Sequence, residues 1–339
     1  MPPESQHAPV SVVMPVHNAL PYLDAAIQSI LDQSFRDFEF VIYDDGSTDG
    51  STDALRQWAA RDERIRLVFG TRNLGPAGSS NFVVEQSTAP IVARMDADDI
   101  SHPDRLAEQI ALLEARPGVA LVGTLSDVID STGRLIRGPD TWRIRGKSWF
   151  APFPHGSIMY HRTLFQQAGG YRAQCEFWED QDLFLRIARL GEIVTIPRAL
   201  YQHRQSQVST RLNSGRARVE NAIDLMFRCM ARLESGQAYD DLIAKSSAGR
   251  TVDPRAFISI GSLQLWSGGR PRLFRRLIRS GRIGLNLRSA LSLLWTAWAS
   301  ISPGSLRGFL GLYARWRNAR AGKPECNTPV PWQFPGPLP

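Results

Sequence analysis

Short apolar, β-branched runs alternate with segments whose apolar residues recur at helical spacing through the first third of the chain. The strand-like runs are Val10–Val16, Phe38–Asp44, Arg66–Phe69 and Ile91–Met95, and the helix-like segments between and after them are Pro21–Gln33, Thr52–Ala60, Ala77–Gln86 and Pro103–Arg116. Strand, helix, strand in strict alternation predicts βαβ units and a largely parallel sheet, because parallel neighbours need a crossover to connect them. From Val119 to Trp142 the pattern loosens into short strands and turns such as Ser131-Thr132-Gly133. Helical spacing returns at Arg162–Ala168 and Gln181–Arg189, followed by a predicted strand at Ile193–Pro197 and a loop at Tyr201–Ser209. Beyond Asn213 the pattern is helical and basic almost to Pro324, and Pro329–Pro339 is expected to be a disordered, proline-rich tail. The expected divisions are therefore a flexible 1–9, an α/β domain over 10–212, a basic helical region over 213–324 and a tail over 325–339.

Charge sharpens that division. Residues 1–240 carry 25 Lys+Arg against 30 Asp+Glu, whereas residues 241–339 carry 15 against 3. A mildly acidic body with a basic extension implies an anionic partner for the extension and argues against a uniformly nucleic-acid-binding surface. Within the extension, Ser289 to Leu306 has no charge, but Ser292, Thr296, Ser300, Ser302 and Pro303 interrupt it. It reads better as an interfacial helix, with Leu291, Leu294, Trp295 and Trp298 at helical spacing between arginine clusters, than as a membrane span. A packed helical subdomain or an oligomer contact is the alternative. The polar segment Met1–Pro9 has no apolar core, and Cys175, Cys229 and Cys326 form no CxxC pair. The expectation is a cytoplasmic protein, peripheral on the inner face of the membrane, without disulfides or zinc.

The candidate chemistry is acidic and falls just past predicted strand ends, where open α/β sheets bind ligands. In Met95-Asp96-Ala97-Asp98-Asp99, three carboxylates stand in four residues. Such crowding is relieved by a hard divalent cation, Mg²⁺ or Mn²⁺, and a cation bound to a diphosphate would neutralise a leaving group. An acidic turn before the helix at Pro103 is the plainer explanation. In Asp44-Asp45-Gly46-Ser47-Thr48-Asp49, a carboxylate could accept hydrogen bonds from a base or ribose, or Ser47 or Thr48 could cap the next helix. Glu179-Asp180-Gln181-Asp182 opens a predicted helix, where acids also serve the helix dipole.

Taken in order, Val13-Met14-Pro15-Val16-His17-Asn18, Asp44-Asp45-Gly46-Ser47-Thr48-Asp49, Asp96-Ala97-Asp98-Asp99 and Glu179-Asp180 resemble the signature of family 2 glycosyltransferases. Arg72-Asn73-Leu74-Gly75-Pro76-Ala77, through Asn81, is similar to the family's glycine-bearing loop beneath the donor. The resemblance covers Val10 to Ser209 and implies a GT-A fold, a doubly wound α/β domain, here with the basic helical extension appended. It also implies inverting transfer of a sugar from a nucleotide diphosphate sugar, UDP favoured, to an acceptor hydroxyl, assisted by Mn²⁺ or Mg²⁺. Carried over residue by residue, Asp45 matches the aspartate against the uracil, with Asp44 beside it. Pro15, His17, Asn18, Arg72, Asn73 and Gly75 would complete the donor pocket. Asp96 and Asp98 match the DxD pair for ribose and metal, with Asp99 able to replace one of them. Asp180 matches the general base and Glu179 its companion, which suits a displacement that needs a carboxylate opposite the leaving diphosphate. His203 could face the metal or diphosphate, or stand alone on the surface, and His155 could line the acceptor pocket or merely occupy a turn.

No Gln-x-x-Arg-Trp follows Asp180, and Arg315-Trp316 lacks the glutamine, so single-sugar addition is expected rather than processive synthesis. The partners expected are a nucleotide diphosphate sugar, a glycan or lipid-linked acceptor and an anionic membrane surface, with no nucleic acid. Two rivals remain at this stage. A nucleotidylyltransferase would be expected to show a glycine-rich basic loop where Pro15-Val16-His17-Asn18 stands, and a non-catalytic sugar-nucleotide sensor need not keep Asp98 and Asp180.

Overall fold

The computed structural model describes residues 8–139, 150–205, 236–244 and 328–333, with scattered helical positions between 222 and 233. The chain divides into two compact units, Met1–Gly215 with Cys326–Leu338, and Arg216–Glu325 with Pro339.

The first unit opens with β1 (Val10–Val16), α1 (Leu23–Leu31), β2 (Phe38–Asp44), α2 (Ser51–Ala59), β3 (Ile65–Phe69), α3 (Gly75–Gln86) and β4 (Ile91–Arg94). After these come β5 (Ile100–Ser101), α4 (Arg105–Ala115), β6 (Val119–Ile129), β7 (Leu135–Arg137), β8 (Met159–His161), α5 (Arg162–Gln167), α6 (Glu179–Ile187) and β9 (Glu192–Arg204). Single helical turns lie at His155–Ser157 and Ala173–Cys175, and β10 (Val330–Pro331) returns from the far end of the chain. In the sheet the order is β10-β9-β6-β8-β4-β1-β2-β3, with β5 on β9 and β7 on β6. Strands β4, β1, β2 and β3 run parallel, as the βαβ pattern requires, while β8 enters antiparallel between β4 and β6. Strand β1 is central: Val10, Val12, Val13 and Met14 are fully buried, because helices cover both faces of the sheet. α1 shows how the cover forms, since Leu23, Ala26, Ile27, Ile30 and Leu31 fall on one stripe and join β1 and β2 in the apolar core.

Three expectations need correction. The region 119–142 is not a series of short strands at its start: β6 runs unbroken for 11 residues, held between β8 and β9. β9 extends to Arg204, so Tyr201–Arg204 is strand rather than loop. The tail is not wholly disordered, because Val330–Pro331 pairs antiparallel with Val194 and Thr195, and Trp332 is buried. In the second unit a short helix covers Asp240–Ala244. The expected boundary at 212/213 and the Trp295–Trp298 stripe lie outside the described residues. Among the described residues no helix is long and apolar enough to cross a membrane.

Candidate active site

The C-terminal ends of β1, β2 and β4 lie side by side, with β1 in the middle. This is where chain order reverses in the sheet and where ligands of open α/β folds bind. Both acidic motifs start at these ends.

The first motif is laced to its surroundings. Asp44 accepts the Ser47 N–H at 3.0 Å and the Thr52 hydroxyl at 2.5 Å. Asp45 accepts the Leu74 N–H at 2.7 Å and the Gly75 N–H at 3.1 Å, tying the loop after β2 to the start of α3. Gly46, at φ +75°, supplies the left-handed turn between them. Just past β1, Asn18 donates its N–H to Ser47 Oγ at 3.0 Å and accepts the Thr48 N–H at 2.8 Å, itself in the left-handed region at φ 52°. His17 Nδ1 lies 3.1 Å from the Asp45 carbonyl, which fixes that nitrogen as the protonated donor. Neither Ser47 nor Thr48 caps α2; that helix follows Gly50, and Asp49 takes the Ser51 N–H and hydroxyl at 3.0 and 2.6 Å. Pro15 is level with Tyr43 across the β1–β2 pair, while Asn73 accepts the Gly75 N–H at 2.8 Å and Arg72 is exposed. The two carboxylates are thus consumed by the loop, and the exposed groups around it are His17, Asn18, Arg72 and Asn73.

The second motif is not self-satisfied. Arg94, the last residue of β4, is buried and donates from Nε to Asp96 Oδ1 at 3.0 Å and from Nη1 to Ser80 Oγ at 2.9 Å. Burial opposes charge on Asp96, but Arg94 outweighs it and holds the carboxyl below its ordinary range. Asp99 is buried; it accepts the Arg204 N–H at 2.7 Å and lies 3.3 Å from His203 Nδ1. That bond first, with the charges of Asp99, Asp96 and Asp98 behind it, pushes His203 up to about 9, so the imidazole is cationic at neutral pH. Asp98 stands between these two partnered neighbours. Its carbonyl accepts Arg204 Nε at 2.7 Å, but among the described residues no guanidinium pairs with its carboxylate. Burial, then the charges of Asp99 and Asp96, push that carboxyl up to about 7. No group of three His, Cys, Asp or Glu among the described residues forms a cation cage. The oxygen-rich run with one uncompensated carboxylate nonetheless suits a hard ion, which characteristically takes one or two protein carboxylates and fills its shell with water and phosphate.

A third cluster adjoins Asp96. Tyr171 is buried under Arg94, whose guanidinium sits 5.8 Å from the ring centre, and its hydroxyl lies 2.7 Å from His155 Nε2. Asn81 grips the Tyr171 backbone on both sides, at 2.7 and 2.9 Å, so it braces this residue rather than the donor loop. Burial raises the Tyr171 phenol well above its ordinary range, and the charges of Asp180, Asp96 and Glu179 add to it. The tyrosine therefore lies within the field of both the second motif and the opening of α6. Burial and Arg94 push His155 down to about 3, leaving it neutral, packed edge-on to Tyr171 and Phe184. On α6, Asp182 is fully buried in an ion pair with Arg186 at 2.6 Å, a structural commitment, while Asp180 and Glu179 are only partly buried.

Sequence reasoning missed Arg94, Tyr171, Tyr201 and Arg204. Arg94 had a signal, being a charge that closes the apolar run Ile91-Val92-Ala93. Tyr201, which accepts the Asp96 N–H at 3.3 Å, and Arg204, which joins Asp98, Asp99 and Asp130, had none, because their roles depend on β9 reaching Arg204.

Comparison with known proteins agrees with this architecture. Residues 11–169 match the family model described as glycosyl transferase family 2. The chain is 34% identical over 233 residues to the putative glycosyltransferase EpsE of Bacillus subtilis, covering 66% of this chain and 83% of that one. It is 39% identical over 107 residues to the putative teichuronic acid biosynthesis glycosyltransferase TuaG of the same organism, covering 32% and 42%. Among solved structures, a mannosyltransferase from Pyrobaculum calidifontis in complex with GDP-Man and Mn²⁺ superposes with a TM-score of 0.57 at 20% identity, over 94% of this chain and 89% of that one. Residues 1–349 of S. aureus TarS in complex with UDP-GlcNAc give 0.55 at 17% identity, over 78% of each chain. The fold is the GT-A fold of these glycosyltransferases. With a match to EpsE that spans most of that protein and acidic motifs at the strand ends of such a sheet, the chain belongs to glycosyl transferase family 2.

Proposed function

We propose that the protein is an inverting, non-processive, metal-dependent transferase that moves a sugar from a nucleotide diphosphate sugar to an acceptor hydroxyl. The observation that carries this reading is Asp98, with no guanidinium on its carboxylate among the described residues, between an aspartate paired with Arg94 and one that is paired with His203 and accepts the Arg204 backbone N–H. Asp98 is the principal metal ligand in this reading, with Asp96, Asp99 and His203 around it, and Mn²⁺ or Mg²⁺ would compensate the charge that builds on the departing diphosphate. Arg94 holds the Asp96 carboxylate in place toward the ribose. Cationic His203 supplements the positive field on the diphosphate side.

The exposed groups of the first loop, His17, Asn18, Arg72 and Asn73, together with Pro15 and Gly75, receive the nucleoside. Asp44 and Asp45 fix that pocket by holding its backbone, so their contribution to the base is through shape. Asp180 takes the acceptor's proton, Glu179 supports it, and His155, neutral and hydrogen-bonded to Tyr171, lines the acceptor side. Uridine is the favoured nucleoside by family resemblance and by likeness to TarS, whose structure holds UDP-GlcNAc. Likeness to TuaG, named for teichuronic acid biosynthesis, supports a role in cell-surface polysaccharide or glycolipid synthesis. A lipid-linked acceptor and a basic extension resting on the inner face of the membrane complete the reading.

The test is a panel of UDP-, GDP- and dTDP-sugars, each with Mn²⁺, Mg²⁺ or chelator, assayed for release of free nucleotide diphosphate. Metal-dependent release from a UDP-sugar supports the reading. Release that survives chelation excludes the metal role, and preference for a GDP-sugar overturns the uridine assignment alone.

A further inference from the structure

At the end of β6 the chain makes a tight, pre-formed tip. Asp130 Oδ1 accepts the Thr132 N–H, the Thr132 hydroxyl and the Arg134 N–H at 2.9, 2.6 and 3.0 Å. The Asp130 carbonyl accepts the Gly133 N–H at 3.1 Å and Arg204 Nη1 at 2.9 Å, and Gly133 turns at φ +87°. A surface loop does not need so many bonds merely to reverse direction, and their effect is to hold β7 out as a stiff ribbon. What β7 displays is apolar: Leu135 is 57% exposed and Ile136 53%. Successive strand residues point to opposite faces, so these two put bulky hydrocarbon on both sides of the ribbon.

A single exposed leucine would need no explanation. Two adjacent ones on opposite faces do, because a protein partner with a flat surface covers only one face, whereas a lipid interface surrounds the ribbon. The flanking charge selects the lipid. Arg134 adjoins the pair and is exposed, and an arginine beside inserted apolar residues meets anionic headgroups. The root of the ribbon is equally specific. Val128 and Ile129 pair with His203 and Arg204 on β9 on one side, and with Arg137 and Leu135 on the other. The strand that carries His203 is therefore one strand away from the ribbon.

We propose that the β6–β7 hairpin is an anionic-lipid contact that inserts Leu135 and Ile136 between headgroups and turns the Asp98–His203 side of the site toward the membrane. It rests on the reading that the enzyme works at a membrane surface, but it assigns the contact to the catalytic domain rather than to the basic extension.

The test uses the full chain. Leu135→Cys is labelled with an environment-sensitive dye in a Cys326→Ser background, Cys175 and Cys229 being buried. It is then mixed with vesicles of phosphatidylcholine alone or with phosphatidylglycerol. A blue shift with phosphatidylglycerol and none with phosphatidylcholine is the expected result. In parallel, unlabelled Leu135→Ser/Ile136→Ser should lose about tenfold in vesicle affinity and Arg134→Glu about fivefold, the scale of two apolar side chains and of charge near an anionic surface. Melting temperatures should not change, since all three side chains are exposed. Co-sedimentation with a silent dye and wild-type affinity in the double variant would overturn the hairpin while leaving membrane attachment to the extension. No sedimentation at all overturns both readings. A shift that grows with protein concentration without vesicles assigns the ribbon to a second copy of the chain and overturns the proposal.

Discussion

The two acidic motifs occupy equivalent places, each just past a parallel strand that flanks β1, yet their electrostatic states are opposite. Asp44 and Asp45 are answered by amides and a hydroxyl of the following turn and of the starts of α2 and α3, and the region is complete without a ligand. Asp96, Asp98 and Asp99 receive two cationic side chains between them, Arg94 and His203, and the middle carboxyl is driven up to about 7. A run of acids is therefore ambiguous until its donors are counted. Where the backbone supplies them, the acids build a turn; where it does not, they hold charge in reserve for something that arrives. On α6, likewise, Asp182 is answered within its own helix, by Arg186.

The comparison breaks most easily at Asp98. If its charge is held for a metal, Asp98→Ala should lower turnover by about 10³-fold, the several kcal/mol of charge stabilisation expected of a bound cation. Its thermal stability should be unchanged or higher, because a crowded buried charge has been removed. Turnover and melting temperature measured on the same preparation test both halves. A fall in stability with activity retained would make Asp98 a structural acid like Asp44.

The next effect in size belongs to Asp180→Asn, which keeps shape and much of the hydrogen bonding but cannot take a proton. Turnover should fall by about 10²-fold, the scale of general-base catalysis, while calorimetry with UDP and Mn²⁺ gives wild-type affinity. Near-normal transfer would move the base to Glu179.

Asp45→Ala should act the other way round from Asp98→Ala. It leaves the Leu74 amide without its acceptor and the Gly75 amide with Asn73 alone, at a cost of about 1–3 kcal/mol in urea-induced unfolding, and it loosens the start of α3. Donor affinity should weaken through the displaced loop. Loss of UDP affinity with stability intact would return Asp45 to direct contact with the base.

How much of this was legible in the sequence follows from where each partner lies. The βαβ half was readable because each element is set by local periodicity, and the boundaries of β1 and β2 agree residue for residue with the strands expected. β6 and β9 were not, because their length is decided by each other. β6 carries Thr124, Ser126 and Asp127, which break an apolar run, and β9 carries Pro197, which argues against a central strand. The parallel pairing tolerates Pro197 by shifting register between Thr124 and Leu125, opposite Ile196 and Ala199. From that shift and the next, between Leu125 and Ser126, follow the positions of Tyr201, His203 and Arg204, hence the environment of Asp98. The acids themselves were visible; which of them had donors was not, since Leu74, Arg94 and His203 reach them from other elements.

The smallest effect is a matter of sign. Asp49 belongs to the satisfied loop, and its carboxyl is held below the ordinary value of 3.8: burial opposes this, but the Ser51 hydroxyl and amide and the Leu20 amide prevail. A carboxyl with a depressed folded pKa contributes stability that is fully present above the unfolded value and is lost as pH falls through the folded one. Stability measured between pH 6 and pH 3 should therefore decline on the acid side, and Asp49→Asn should reduce that slope while keeping most of the turn, because the amide oxygen still accepts from Ser51. The variant's curve should meet the wild-type curve at low pH, where the wild-type carboxyl is itself protonated and has lost its advantage. If the two curves stay parallel over the whole range, the Asp49 contacts are worth the same with a neutral acceptor, and the charge of this loop, unlike that of the Asp96–Asp99 run, has no part in holding the fold.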